Sequence, residues 1–242
     1  MKKRWLAVLL AAAMGAALAG CSSGSSDAAD TAEEEEEELS EEEQLAGELA
    51  ENEQVLSKDS SITEVDFESE VPEDDVTIPE GAAVWLRNQD GTVDVAVAEF
   101  EEDGEVWLDS GNASDMRDPN TVIHGDTEVL GGIVRLGDSE YFDESPYLYV
   151  YTEDAVREYR VFAAYEAETE NILVNHNCYN SEKFQTYVDE IFSQSGGLKS
   201  VNLNEDLKDE LLAIARLVTI QVSVDEESDF IVQAVPTGIL VR

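Results

Sequence analysis

From about Val76 the chain is written as short runs of strand formers cut by turn dipeptides, and that rhythm restricts the fold more than any other feature. The stretch AAVWLRNQDGTVDVAVAEFEEDGEVWLDSGN reads strand, turn, strand, turn, strand. Asp90-Gly91 is a hairpin signal, since such turns need positive φ. Val93, Val95 and Val97 alternate with Asp94, Ala96 and Ala98, which divides their side chains between two faces of a sheet. Glu105 to Leu108 follows a second turn at Asp103-Gly104, and TVIHG at residues 121–125 is another strand. YLYVYT at 147–152 and REYRVFAAYEAE at 157–168 flank Asp154 as a second hairpin. The stretches ELLAIARLVTIQVSV and DFIVQAVPTGILVR supply two more apolar strands near the end. Short strands at regular intervals with few helices predict an all-β sandwich or barrel. About 165 residues suffice for one domain with its own core, and no internal repeat is present.

One helix interrupts the pattern. Over residues 182–192, Phe184, Tyr187, Val188 and Ile191 share a face, Ser181 is placed to cap the start, and Gly196-Gly197 to stop the end. A second, shorter helix is predicted at residues 204–209.

Before Val76 the texture is different. Lys2, Lys3 and Arg4 precede a short apolar run, residues 6–18, and Leu18-Ala19-Gly20-Cys21 follows. The run is short for a membrane span and reads as an export signal. Its end resembles the lipobox of bacterial lipoproteins, which implies acylation of the Cys21 thiol and cleavage before it. A lipid there anchors a chain without a spanning helix. Residues 21–75 read as an acidic flexible tether: SSGSSDAAD, then six glutamates from Glu33 to Glu38, which repel one another. Within it, Ser40 and Glu43 have capping-box spacing and Leu45 and Leu49 lie four apart, so a marginal helix over residues 41–55 is an alternative. The expected division is therefore 1–20 signal peptide, 21–75 tether and 76–242 folded domain.

The formal net charge is −42, with 14 basic and 56 acidic residues. Three of the basic residues lie in the signal, so the mature chain carries 11 − 56 = −45. Such a surface repels nucleic acid and bare anionic headgroups and attracts cations.

The order of segments carries a resemblance. EVWLDSGN, DPNTVIHGD, LGDSEYFDESPYLYVYT, REYRVFAAY, NSEKFQTYVDEI and RLVTIQVSVDEESDFIVQAV follow one another as in the class B sortases, cysteine transpeptidases of the outer face of Gram-positive membranes. The resemblance spans residues 76–242. It implies a sortase-like closed β-barrel with minor helices, the long one lying before the last strands. It also implies three catalytic positions. The family's Tyr-Gly-His falls on His124-Gly125-Asp126, so its histidine position holds Asp126 and His124 is a neighbour. The end of its penultimate strand, Ser-Thr-Cys, falls on Gln221-Val222-Ser223, so the nucleophile position holds Ser223. Its arginine falls on Asp229, and no Arg or Lys lies between Ser223 and Val241.

Thiolate attack needs an ionised sulfur and a fixed cation for the oxyanion. A serine in its place needs a positioned base as well. The expectation is a catalytically inactive, extracytoplasmic lipoprotein acting as a binding or accessory module at the cell surface. The alternative is a transpeptidase or hydrolase using Ser223. The same substitutions turn a cationic groove acidic, with Asp126, Asp225, Glu226 and Asp229 as candidates for a cation, calcium included, or for a basic peptide. No cofactor or resident metal is otherwise expected, and RNQDG lacks the spacing of a calcium loop. The expected partners are the membrane, through the lipid, and a sorting-signal peptide or cell-surface protein; nucleic acid is not expected, and the domain is expected to be monomeric. His176 and Cys178 in NHNC would share one side of a strand, as a Cys/His dyad or half a metal site, or else are two residues of a loop. The family's usual N-terminus is an uncleaved membrane helix, and this chain has a lipobox and an acidic tail there instead.

Overall fold

The computed structural model describes residues 76–101, 104–193 and 201–241. The signal, Cys21, the acidic stretch with its helix over 41–55, Asp103 and Gly196-Gly197 all lie outside those residues. Among the described residues no helix is long and apolar enough to cross a membrane.

Among the described residues nine strands form one sheet: β1 Ala82–Asn88, β2 Asp94–Ala98, β3 Val106–Leu108, β4 Asn120–Asp126, β5 Tyr147–Tyr151, β6 Ala155–Glu168, β7 Val201–Leu203, β8 Leu217–Ser223 and β9 Ser228–Val241. Their order is β5-β1-β2-β3-β4-β8-β9-β6-β7, and β5 also pairs with β6. That last pairing closes eight strands into a barrel and leaves β7 beside the far half of β6, at Ala163, Ala164 and Tyr165. Closure leaves the eight strands no free edges, and the expected barrel is found.

The turn signals at Asp90-Gly91 and Asp154 act as read. Gly91 takes φ +71° between β1 and β2, and Asp90 accepts from the backbone and hydroxyl of Thr92. Thr152 and Asp154 tie the corner between β5 and β6. Alternation along the strands then fills the barrel: Leu86, Leu108, Ile123, Ile220 and Val232 face inward and are essentially unexposed.

Among the described residues five helices decorate it: α1 Thr127–Val134, α2 Ser139–Glu144, α3 Ile172–Asn175, α4 Ser181–Ser193 and α5 Lys208–Ile214. The predicted long helix is α4, and its four apolar side chains are all buried against the outer face of the sheet. Its cap is Asn180, one residue before the expected Ser181: the Asn180 Oδ1 accepts from the Lys183 amide at 2.9 Å. The expected short helix at 204–209 is a 3-10 turn over Glu205–Leu207 that runs into α5. ELLAIAR, read as part of a strand, is therefore mostly helical. Ala215 ends α5 in the left-handed conformation, φ 52°, and β8 starts two residues later. Helix α1 was not legible in TEVLGGIV, because two glycines and β-branched residues argue against a helix. Tertiary packing overrides that propensity: Leu130 and Ile133 are wholly buried in the barrel core.

Candidate functional site

Strands β4, β8 and β9 are neighbours, and their register decides the site. β4 and β8 run parallel with Asp126 opposite Ser223; β8 and β9 run antiparallel with Ser223 opposite Asp229. Asp126, far upstream in sequence, thus stands in one row with Ser223 and Asp229 at the ends of adjacent strands, on the outer side of the barrel.

Each side chain in the row has a job in the fold. The Asp126 carboxylate accepts from the amides of Glu128 at 2.8 Å and Val129 at 3.2 Å, and so caps α1. The Ser223 hydroxyl donates to Asp229 Oδ1 at 3.2 Å. Gln221 Nε2 donates to Asp229 Oδ2 at 2.6 Å and to the Glu170 carbonyl at 2.9 Å. Asp229 is 1% exposed, so its carboxylate is a buried acceptor knotted into β8. Asp225 shapes the β8–β9 turn by accepting from the Glu227 amide at 2.9 Å, and Glu226 is exposed at its tip. Among the described residues no group of three or more His, Cys, Asp or Glu side chains is placed to hold a metal ion.

His124 stands two residues before Asp126, stacked on Trp107 with ring centres 5.6 Å apart and with Nε2 3.0 Å from Asp109 Oδ2. The pair ties β4 to the end of β3 and keeps the imidazole out of the row.

His176 and Cys178 are not on a strand. His176 ends α3; its ring stacks on Tyr187 at 4.2 Å and its nitrogens lie 3.8 Å from Glu170 and 3.6 Å from Glu190. Cys178 is buried, and burial pushes its thiol up to about 12, against a small downward pull from the Asn120 amide. A thiol so protonated is a poor nucleophile and a poor ligand at neutral pH. Among the described residues no hydrogen bond joins it to His176, so the dyad reading has no geometric support.

Sequence reading missed a polar layer beneath the helices. Thr219 donates to Asn120 at 2.8 Å, and Gln233 donates to the Tyr187 hydroxyl at 2.6 Å. Burial raises the Tyr187 phenol well above its ordinary range. The signal was available as polar residues alternating within apolar runs. A cleft of about 320 Å³ opens between the Asp109–Gly111 corner and the loop carrying Leu173, Val174 and His176, with Asn120 and Cys178 also in its lining. Val174 is 78% exposed at its lip.

No family model and no curated protein matches the chain. Solved structures do. A serine-for-cysteine mutant form of Clostridium perfringens sortase B superposes with a TM-score of 0.52 at 18% identity, over 65% of this chain and 82% of that one. Sortase B from the type II pilus of Streptococcus pneumoniae gives 0.50 at 19% identity, over 65% and 93%. The Staphylococcus aureus sortase B–substrate complex gives 0.50 at 16%, over 68% and 82%. The class defined by this likeness is a fold class: the domain is a sortase-like β-barrel whose structural neighbours are class B sortases.

Proposed function

We propose that the domain is a catalytically inactive member of that fold class, serving as a binding or accessory module outside the cytoplasmic membrane. The observation that carries the reading is the row Asp126, Ser223, Asp229. It holds no thiol, imidazole or guanidinium, and its two carboxylates are spent on capping α1 and on tying down Ser223 and Gln221. Acyl transfer needs positive or hydrogen-donating groups where the oxyanion forms. Here Asp126 and Asp229 stand opposite the serine in the strand register, and Asp225 and Glu226 follow in the adjoining turn, all with charge of the oxyanion's own sign. The cleft beside Val174 supports a peptide as ligand, and the exposed Asp225 and Glu226 beside the row support a basic one; a cation such as calcium has less support, since no group of three such side chains among the described residues is placed to hold it. The lipobox-like segment supports attachment through a lipid on Cys21.

One contact favours a second reading. The Ser223 hydroxyl already donates to a carboxylate, the arrangement a serine nucleophile would use. The two readings separate in one assay: the mature protein with a quenched peptide library and hydroxylamine. No turnover is expected, and turnover abolished by Ser223→Ala overturns the inactive reading. The binding reading is tested by titrating calcium and a Lys-rich peptide into the protein and into its Asp126→Asn, Asp229→Asn variant. Weaker binding by the variant supports the acidic row; equal binding, or none, removes it.

A further inference from the structure

The polar layer beneath α4 is a run of hydrogen bonds with one direction, and it ends at the cleft. The Tyr165 hydroxyl donates to Gln233 Oε1 at 3.4 Å, and Gln233 Nε2 donates to the Tyr187 hydroxyl at 2.6 Å. Thr219 stands beside that hydroxyl and donates to Asn120 Oδ1 at 2.8 Å. With Oδ1 accepting, the Asn120 amide turns its donor, Nδ2, to the far end of the run. Asn120 is 2% exposed, and among the described residues its Nδ2 has no hydrogen-bond partner. The group beside it is the Cys178 thiol, a weak acceptor. A buried donor left unpaired is costly, and folded proteins keep few of them.

Asn120 is part of the lining of the 320 Å³ cleft, whose size falls at the small end of ligand sites, about 300–1,000 Å³. Leu173 and the exposed Val174 give the cleft an aliphatic wall. Gly111 stands across from it: a Cβ there would come within 3.2 Å of Leu173 Cδ1, so the missing side chain keeps the mouth open. The charged side chains of the lining already have partners. Asp109 takes His124 Nε2 at 3.0 Å and the Gly111 amide at 2.9 Å, and His176 lies between Glu170 and Glu190. A ligand therefore meets one buried donor and an aliphatic wall, which match a neutral acceptor on an apolar body. Asn120 lies six residues before Asp126 on β4, about 20 Å along an extended strand, so the cleft is separate from the acidic row. We propose, resting on the peptide-binding reading above, that the cleft takes an uncharged peptide segment. One backbone carbonyl of the segment accepts from Asn120 Nδ2, and an aliphatic side chain lies on Leu173 and Val174. Whatever charge the ligand carries near the row, the part in the cleft carries none, because a charge there would lose water and gain no partner.

The test uses the whole mature chain, isotope-labelled for NMR, and libraries of N-acetylated, C-amidated tetrapeptides. One library holds Gly, Ala, Val and Leu only; in two others a Lys or an Asp replaces one residue. The neutral library is expected to move the Asn120 side-chain amide resonances and the Leu173 and Val174 methyls, and to bind about tenfold or more tightly than the charged ones. Gly111→Ala, which narrows the mouth, and Asn120→Asp, which keeps Oδ1 for Thr219 and loses the donor, should each weaken that binding about threefold to tenfold. If Asn120→Asp fails to fold, Gly111→Ala and the wild-type shifts decide. An unmoved Asn120 amide, or equal binding by Gly111→Ala, overturns the proposal. A silent neutral library beside a Lys-rich peptide that binds removes the cleft and leaves the binding-module reading; silence of both removes the two together.

Discussion

Asp126 is where the resemblance puts a catalytic histidine and where the structure puts a helix cap, and the two assignments have different energies. Its carboxylate satisfies two otherwise unpaired amides at the start of α1. Loss of such a cap typically costs about 1 kcal/mol, up to about 2. The negative charge at the helix start adds about 0.3–1 kcal/mol. Because Leu130 and Ile133 of α1 are wholly buried in the barrel core, fraying of this end is felt by the whole domain. Asp126→Ala should therefore lose about 1–2 kcal/mol, which for a domain of this size lowers the melting temperature by about 3–6 °C. Asp126→Asn keeps the accepting oxygen and loses only the charge, so it should lose about 1–2 °C. Calorimetry on the mature protein distinguishes them. An alanine variant that melts within a degree of wild type would refute the capping argument, as would an asparagine variant that falls as far as alanine. Any variant that installs the family's residues, Asp126→His, Ser223→Cys and Asp229→Arg, gives up this cap and the buried knot of β8 together, so stability must be measured before activity.

Gly125→Ala would place a Cβ 2.6 Å from Leu130 Cδ1 and 3.2 Å from Val106 Cγ2; overpacking of this kind costs about 1–3 kcal/mol, read as a lower urea midpoint. Cys178 should resist thiol reagents at pH 8 in the native state and react once the chain unfolds. Its thiol titrates at about 12 when folded against 9.0 when not, so the folded state holds its proton longer, and stability should fall between those pH values relative to Cys178→Ser. Asp94 is held below its ordinary range, first by its hydrogen bonds from Arg87 and also by Trp85. Its contribution is present above pH 3.8 and should disappear as pH falls through the lower folded value, a loss that Arg87→Met removes from the acid denaturation curve.

Much of the barrel was legible because alternation and turn residues are local. Val93, Val95 and Val97 show their face in three residues, and Asp90-Gly91 shows its turn in two. The apolar stripe of α4 was equally local. What failed was local too, but outvoted. ELLAIAR is apolar enough for a strand and becomes α5 because Leu211 is buried against the outside of the barrel, and TEVLGGIV becomes α1 because the barrel takes in Leu130 and Ile133. Asn180 displaced Ser181 as a cap because either side chain can do it and only the loop's path chooses.

The sequence by itself determined the all-β class, the acidity, and which residue types stand at positions 126, 223 and 229, since those are properties of single residues and short spacings. Tertiary structure decided what the residues do. Parallel pairing of β4 with β8, separated by roughly ninety residues of chain, is what sets Asp126 beside Ser223, and the antiparallel turn into β9 is what buries Asp229 under Gln221. No local pattern encodes that register. It follows from closing the barrel around one core, where a slip of a single residue would turn each inward side chain out.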